Sequence, residues 1–233
     1  VIRFRLGTIP VSIKPTFWIV AVVLGLPVPD RHSSEIASYL TAWVGVVLFS
    51  VLAHELGHAL MARRFGAEAA ITLHVMGGYT TWTTPNPISP LRRVLVAAAG
   101  SGVGFVLAGL VFGVVRGFDI SIQSQLVASL ASAFVFVNLV WGVFNWLPIR
   151  PLDGGHILAG FLQAALGRRA AIVLDVIFPI TTIAVGLFAY RQGLIFAAFF
   201  CGFLLLDEIR NWQDRRPAPP PSPGGGGLPP ALG

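Results

Sequence analysis

Long apolar runs broken by short polar or basic stops dominate this chain. Apolar residues fill most of Thr16–Val28, Ser38–Met61, Leu91–Val115, Gln125–Leu147, Ala171–Tyr190 and Leu194–Leu206. Such runs predict buried or membrane-spanning helices, and a full crossing needs about 20 residues. The first and last runs are short by that measure. Gly154–Leu166 is also too short to span and reads as an amphipathic helix ended by Gly167-Arg168-Arg169. Asp30–Glu35 reads as a polar turn, with Ser34 or Ser38 as the cap of the next helix.

Two stretches change period. Ile71-Thr72-Leu73-His74-Val75 alternates apolar and polar, and Tyr79-Thr80-Thr81-Trp82-Thr83 is rich in β-prone residues. Gly77-Gly78 lies between them, so the reading is a hairpin or bent strand pair turned by the glycines. The first fifteen residues carry Arg3, Arg5 and Lys14 among Phe4, Leu6, Ile9 and Val11, which reads as a basic strand or interfacial segment. The predicted fold class is an all-α polytopic membrane protein. It has about six transmembrane helices and a small β-hairpin or strand insertion after the second. One membrane domain covers 1–213, and a Pro- and Gly-rich tail over 214–233 is expected to be disordered.

Composition agrees with the pattern. The chain has 233 residues, 55% of them hydrophobic and 11% charged, where soluble domains carry about 25% charged residues. A net charge of +6 raises nucleic acid as a partner. The basic residues instead cluster at the ends of apolar runs, so no nucleic acid is expected and the lipid bilayer is the partner. With six spans, thirteen of the 16 Lys and Arg residues fall on one side, and only Arg31, Arg116 and Arg191 on the other. The positive-inside rule then puts both termini, and the end of the bundle near Arg63, in the cytoplasm of a multi-pass protein, with the plasma membrane as its expected site.

The chemistry is concentrated in His54-Glu55-Leu56-Gly57-His58. Residues i and i+4 of a helix share a face, so both imidazoles can reach one ion. Neutral imidazoles suit zinc, and Glu55 stands where a general base toward an attacking water belongs. Three such residues in hydrocarbon are costly unless paired or bound to metal. At about 1.5 Å per helical residue, His58 lies roughly 8 Å and His54 roughly 14 Å from Arg63 along the axis, below the membrane surface. Zinc needs a third protein ligand. The candidate is Asp153, a carboxylate after an apolar run in Asn145-Trp146-Leu147-Pro148-Ile149-Arg150-Pro151-Leu152-Asp153-Gly154-Gly155. His156 is its rival as third ligand, and His74 reads as a strand residue.

HExxH on one apolar helix and N-x-x-P-x-x-P-L-D-G on a later one together make the chain resemble the site-2 proteases, intramembrane zinc metalloproteases of peptidase family M50. The likeness runs from about Arg3 to Asp207, and both motifs match without a departure. It implies one zinc per chain held by His54, His58 and Asp153, with Glu55 catalytic. It implies that Asn145 contacts substrate or a developing oxyanion, and that the strand at Gly77 and Gly78 holds an unwound substrate segment, as strand addition can. Asn138, two turns before Asn145, is read only as a bond to a neighbouring helix. The expected activity is hydrolysis of peptide bonds in or near transmembrane segments. Its substrates would be single-pass membrane proteins, such as membrane-tethered transcription factors or anti-sigma factors, in regulated intramembrane proteolysis.

Two rivals stand beside this reading. A catalytically silent relative that binds membrane proteins is expected to have lost Glu55 or a ligand, and neither is lost. A metal transporter is expected to show internal repeats and a polar through-path, and the chain shows neither.

Overall fold

The computed structural model describes residues 1–26, 33–117 and 125–214. The expected disordered tail from Arg215, and Asp30–His32 of the expected polar turn, lie outside these residues. In chain order the elements are β1 (Ile2–Leu6), β2 (Ile9–Ile13), α1 (Pro15–Gly25), α2 (Ser33–Arg64), β3 (Glu68–His74), β4 (Gly77–Thr83), α3 (Pro90–Gly117), α4 (Gln125–Asn145), α5 (Asp153–Leu166), α6 (Ala170–Arg191) and α7 (Ile195–Asp214). Helix α2 opens at Ser33, so Ser38 lies inside it and does not cap it.

Four helical stretches are long and apolar enough to cross a membrane: Ile36–Arg64, Pro90–Gly117, Leu126–Asn145 and Asp153–Arg191, the last formed by α5 and α6 with a 3₁₀ turn between. Helix α1 has 11 residues, about 16 Å at 1.5 Å each, and is a shorter apolar helix. Large side chains such as Phe136, Val143, Ile172 and Phe188 are exposed along these helices, as a lipid-facing surface requires.

The contacts group the chain into two compact units, Val1–Thr181 and Thr182–Gly233. In the first, α3 packs against α2, α4 and α5. Small residues allow its close approaches. A β-carbon on Gly57 of α2 would lie 2.6 Å from the Ala99 carbonyl oxygen of α3. One on Gly160 of α5 would lie 2.5 Å from Val94. Without hydrophobic driving force between helices in lipid, such backbone proximity and buried hydrogen bonds supply the attraction. Asn138 of α4 provides one such bond, donating from Nδ2 to Ser50 Oγ of α2 at 2.9 Å. In the second unit, α7 packs its buried Cys201 against Gly186 at the end of α6.

The β region is larger than its sequence signal. The strands form one four-stranded sheet in the order β1-β2-β3-β4. β1–β2 and β3–β4 are antiparallel, and β2–β3 is parallel. Ile9, Val11 and Ile13 of β2 and Ala69, Ile71 and Leu73 of β3 form one apolar face. It packs on Phe17 and Ala21 of α1 and on Val47, Val51 and Ala59 of α2. The β3–β4 turn is Val75-Met76, not the glycine pair. Gly77 and Gly78 already pair with His74 and Leu73, and Gly77 takes a φ of 101°, which follows the two-residue loop at little cost only for glycine.

Candidate metal centre

The HExxH motif lies in the second half of α2, and His54, Glu55 and His58 are all buried. Asp153 is the first residue of α5, where a carboxylate also faces the positive end of the helix. The loop before it is tightly folded. A β-carbon on Gly155 would stand 2.6 Å from the Ile149 carbonyl oxygen, and one on Gly154 would overlap the Trp146 carbonyl. Helix α6 holds the same loop from outside: Thr181 Oγ1 donates to the Pro148 carbonyl at 2.7 Å, and the Arg150 guanidinium lies 4.6 Å from the Phe178 ring centre.

Three donor atoms converge. His54 Nε2 and His58 Nε2 are 3.0 Å apart, His54 Nε2 is 3.2 Å from Asp153 Oδ2, and His58 Nε2 is 3.3 Å from Asp153 Oδ1. Tetrahedral zinc with bonds of about 2.0–2.1 Å places its ligand atoms about 3.3 Å apart. The triangle therefore has the dimensions of one tetrahedral face, leaving a fourth position for water or substrate. His58 Nδ1 donates to the Val96 carbonyl at 2.7 Å, so its Nε2 carries the lone pair turned to the centre. The donor set fits zinc. Among the described residues it is the only His, Cys, Asp or Glu cluster with such convergence.

The wall opposite α2 comes from α3. Val96 orients His58, and Ser101, fully buried, donates from Oγ to Asp153 Oδ2 at 3.3 Å. Gly100 clears the space for the His58 ring. Its β-carbon would come within 2.5 Å of His58 Cε1 and 2.7 Å of Cδ2. Gly100→Ala is expected to lower zinc affinity by at least about tenfold, the scale of disturbed ligand orientation. Gly102→Ala, whose β-carbon meets nothing within 4 Å, should leave affinity unchanged. Competition titration with a zinc-binding dye checks both. The only sequence clue was a serine between two glycines in an apolar span.

The remaining predicted site residues divide. Gly78 faces Glu55: a β-carbon there would be 2.6 Å from Glu55 Cγ and 2.7 Å from Oε1. Gly77 is backed instead by Trp141 of α4, at 3.0 Å from the same construction. Asn145 is buried at the last position of α4, and among the described residues no hydrogen bond ties its amide to the three donors. His156 is exposed and outside the cluster. His74 packs edge-on against Tyr79 in the strands. Its pKa is pushed below the ordinary imidazole value by partial burial and then by the Lys14 ammonium, and it lies in β3 outside the donor cluster.

Comparison with known proteins agrees with this geometry. The pattern of peptidase family M50 matches residues 42–120 and 113–188. Zinc metalloprotease MJ0392 of Methanocaldococcus jannaschii is 28% identical over 213 residues, covering 89% of this chain and 60% of that protein. Rip3 of Mycobacterium tuberculosis is 31% identical over 174 residues, 68% of this chain and 42% of its own length. The solved structure of a site-2 protease from Methanocaldococcus jannaschii shares the fold, with a TM-score of 0.60 over 90% of this chain and 94% of that one, at 24% identity. The chain thus spans about half the length of the curated relatives it matches.

Proposed function

The chain belongs to peptidase family M50, the site-2 proteases, and from that premise we propose that it is a multi-pass intramembrane zinc metalloendopeptidase. It hydrolyses peptide bonds in or near the transmembrane segments of single-pass membrane proteins. The observation that carries this is the convergence of His54, His58 and Asp153 at 3.0–3.3 Å with Glu55 buried beside them. A zinc ion held by these three would supply Lewis acidity toward a water and a scissile carbonyl. Glu55 takes the proton from the attacking water and returns it to the leaving amine. Asn145 steadies the oxyanion or the substrate backbone. β4 is an edge of the sheet, and its Gly77-Gly78 start lies at Glu55 and Trp141. A substrate segment unwound from its helix can add to that edge, because an intact helix hides its carbonyls. The thirteen-to-three sorting of basic residues, counted with six spans, supports a cytoplasmic site end. Membrane-tethered transcription factors or anti-sigma factors would be the natural substrate class.

The test uses the full chain reconstituted in liposomes with a fluorogenic single-pass peptide carrying a helix-breaking pair at mid-span. Cleavage is expected within or beside the span. It should be lost on treatment with a zinc chelator and restored by added zinc. Zinc bound without any cleavage would favour the silent binder, and cleavage indifferent to the chelator would remove the metal from the reaction.

A further inference from the structure

Strand β4 carries one residue that its position does not explain. Gly78, Thr80 and Trp82 occupy alternate positions, so they share one face of the sheet. Their partners on β3 are Leu73, Ile71 and Ala69, all buried and apolar. That face packs on α2, and Thr80 puts a hydroxyl where the row is otherwise apolar or glycine. A half-buried hydroxyl in such a place is stabilised by a partner. Thr80 Oγ1 finds it in Glu55, at 2.8 Å from Oε2 and 3.0 Å from the backbone carbonyl oxygen.

We propose that Thr80 is the positioning residue for the general base, fixing the Glu55 carboxylate from the strand opposite. The inference rests on the catalytic role given to Glu55 above. A hydroxyl has one proton, and it goes to the carboxylate, since charge-assisted bonds are shorter and stronger. Glu55 has three rotatable side-chain bonds, so it needs lateral restraint to face one attacking water. Gly78 supplies one wall by bringing backbone against Cγ and Oε1. Thr80 supplies the directional bond on Oε2. When Glu55 holds the transferred proton, the threonine hydroxyl can turn to the backbone carbonyl 3.0 Å away. It therefore keeps a partner through both halves of the reaction. Strand β4 thus touches the base through its inner face while its edge remains open along the sheet plane.

The experiment compares wild type, Thr80→Val, Thr80→Ser and Glu55→Gln in the liposome cleavage assay, with zinc content measured on each. Thr80→Val keeps the shape and β-branching and removes the hydroxyl. Its kcat is expected to fall about 10–100-fold with KM within about twofold, on the scale of a misplaced catalytic group. Zinc should stay at the wild-type level. Thr80→Ser should recover most of kcat, which a purely steric role would not allow. Unchanged kcat in Thr80→Val, or a rise in KM alone, would overturn the assignment. Equal inactivity of wild type and Glu55→Gln would overturn the proteolytic reading itself. Low zinc in Thr80→Val would show a general loosening of the site, and would also overturn the assignment.

Discussion

Glu55→Gln is expected to reduce cleavage by roughly 10²–10⁴-fold, the range attributed to a positioned general base, while the protein retains zinc. The substitution keeps the side chain's shape and an oxygen for Thr80 to bond at the position now 2.8 Å from its hydroxyl. An amide cannot take up the proton of an attacking water. None of the three converging donors is touched, so metal content should match wild type. Binding of an intact membrane substrate should survive, and the variant should trap it. Measurement of turnover and zinc on the same preparation separates the cases. Residual activity near wild type would sink the assignment of Glu55. Loss of zinc would mean that Glu55 shapes the metal site and that its catalytic role is still open.

Asp153→Ala is expected to take zinc from about one per chain to well below it. The two imidazole nitrogens would remain 3.0 Å apart with no anion to offset the metal's charge. Asp153 also anchors the centre to α3 through Ser101, so its loss removes a ligand and the second contact together. Asp153→Asn, which keeps the shape without the charge, should be intermediate. Elemental analysis after dialysis decides. Zinc unchanged in Asp153→Ala would move the third ligand elsewhere, with His156, three residues on, as the first to test.

The histidine pair of the candidate centre was legible in the sequence because its geometry is local. His54 and His58 are one helical turn apart, and any helix through them brings them together. Asp153 was legible through a second motif rather than through spacing, since a separation of 95 positions from His58 fixes no distance. What was hidden depends on approaches between distant elements. Gly100 looks like any small residue in a membrane helix until the His58 ring is placed against it. Gly78 and Thr80 acquire meaning only when β4 is laid over α2. The glycine pair was read as a turn because glycine is the commonest turn signal. Here one glycine follows the turn and the other leaves room for Glu55. The four-stranded sheet was half visible for the same reason: the alternation of β3 is local, but its partner β2 lies some sixty positions earlier.

That parallel pairing constrains how the chain can thread the bilayer. Val11, Ser12 and Ile13 pair with Ile71, Thr72 and Leu73, and the Lys14 N–H continues the ladder to the Leu73 carbonyl at 2.9 Å. Everything between, α1 and α2, is an excursion that begins and ends in one sheet. The excursion must therefore cross the hydrocarbon an even number of times, or return without crossing. Helix α2 is long and apolar enough to cross, and a crossing by α2 requires an opposite one earlier in the excursion. Parity, rather than length or hydropathy, pairs α1 with α2 as the two limbs of one excursion, the second of which carries the histidines. An insertion or deletion that altered this count would put β2 and β3 on opposite sides of the membrane and dissolve the sheet that supports Thr80.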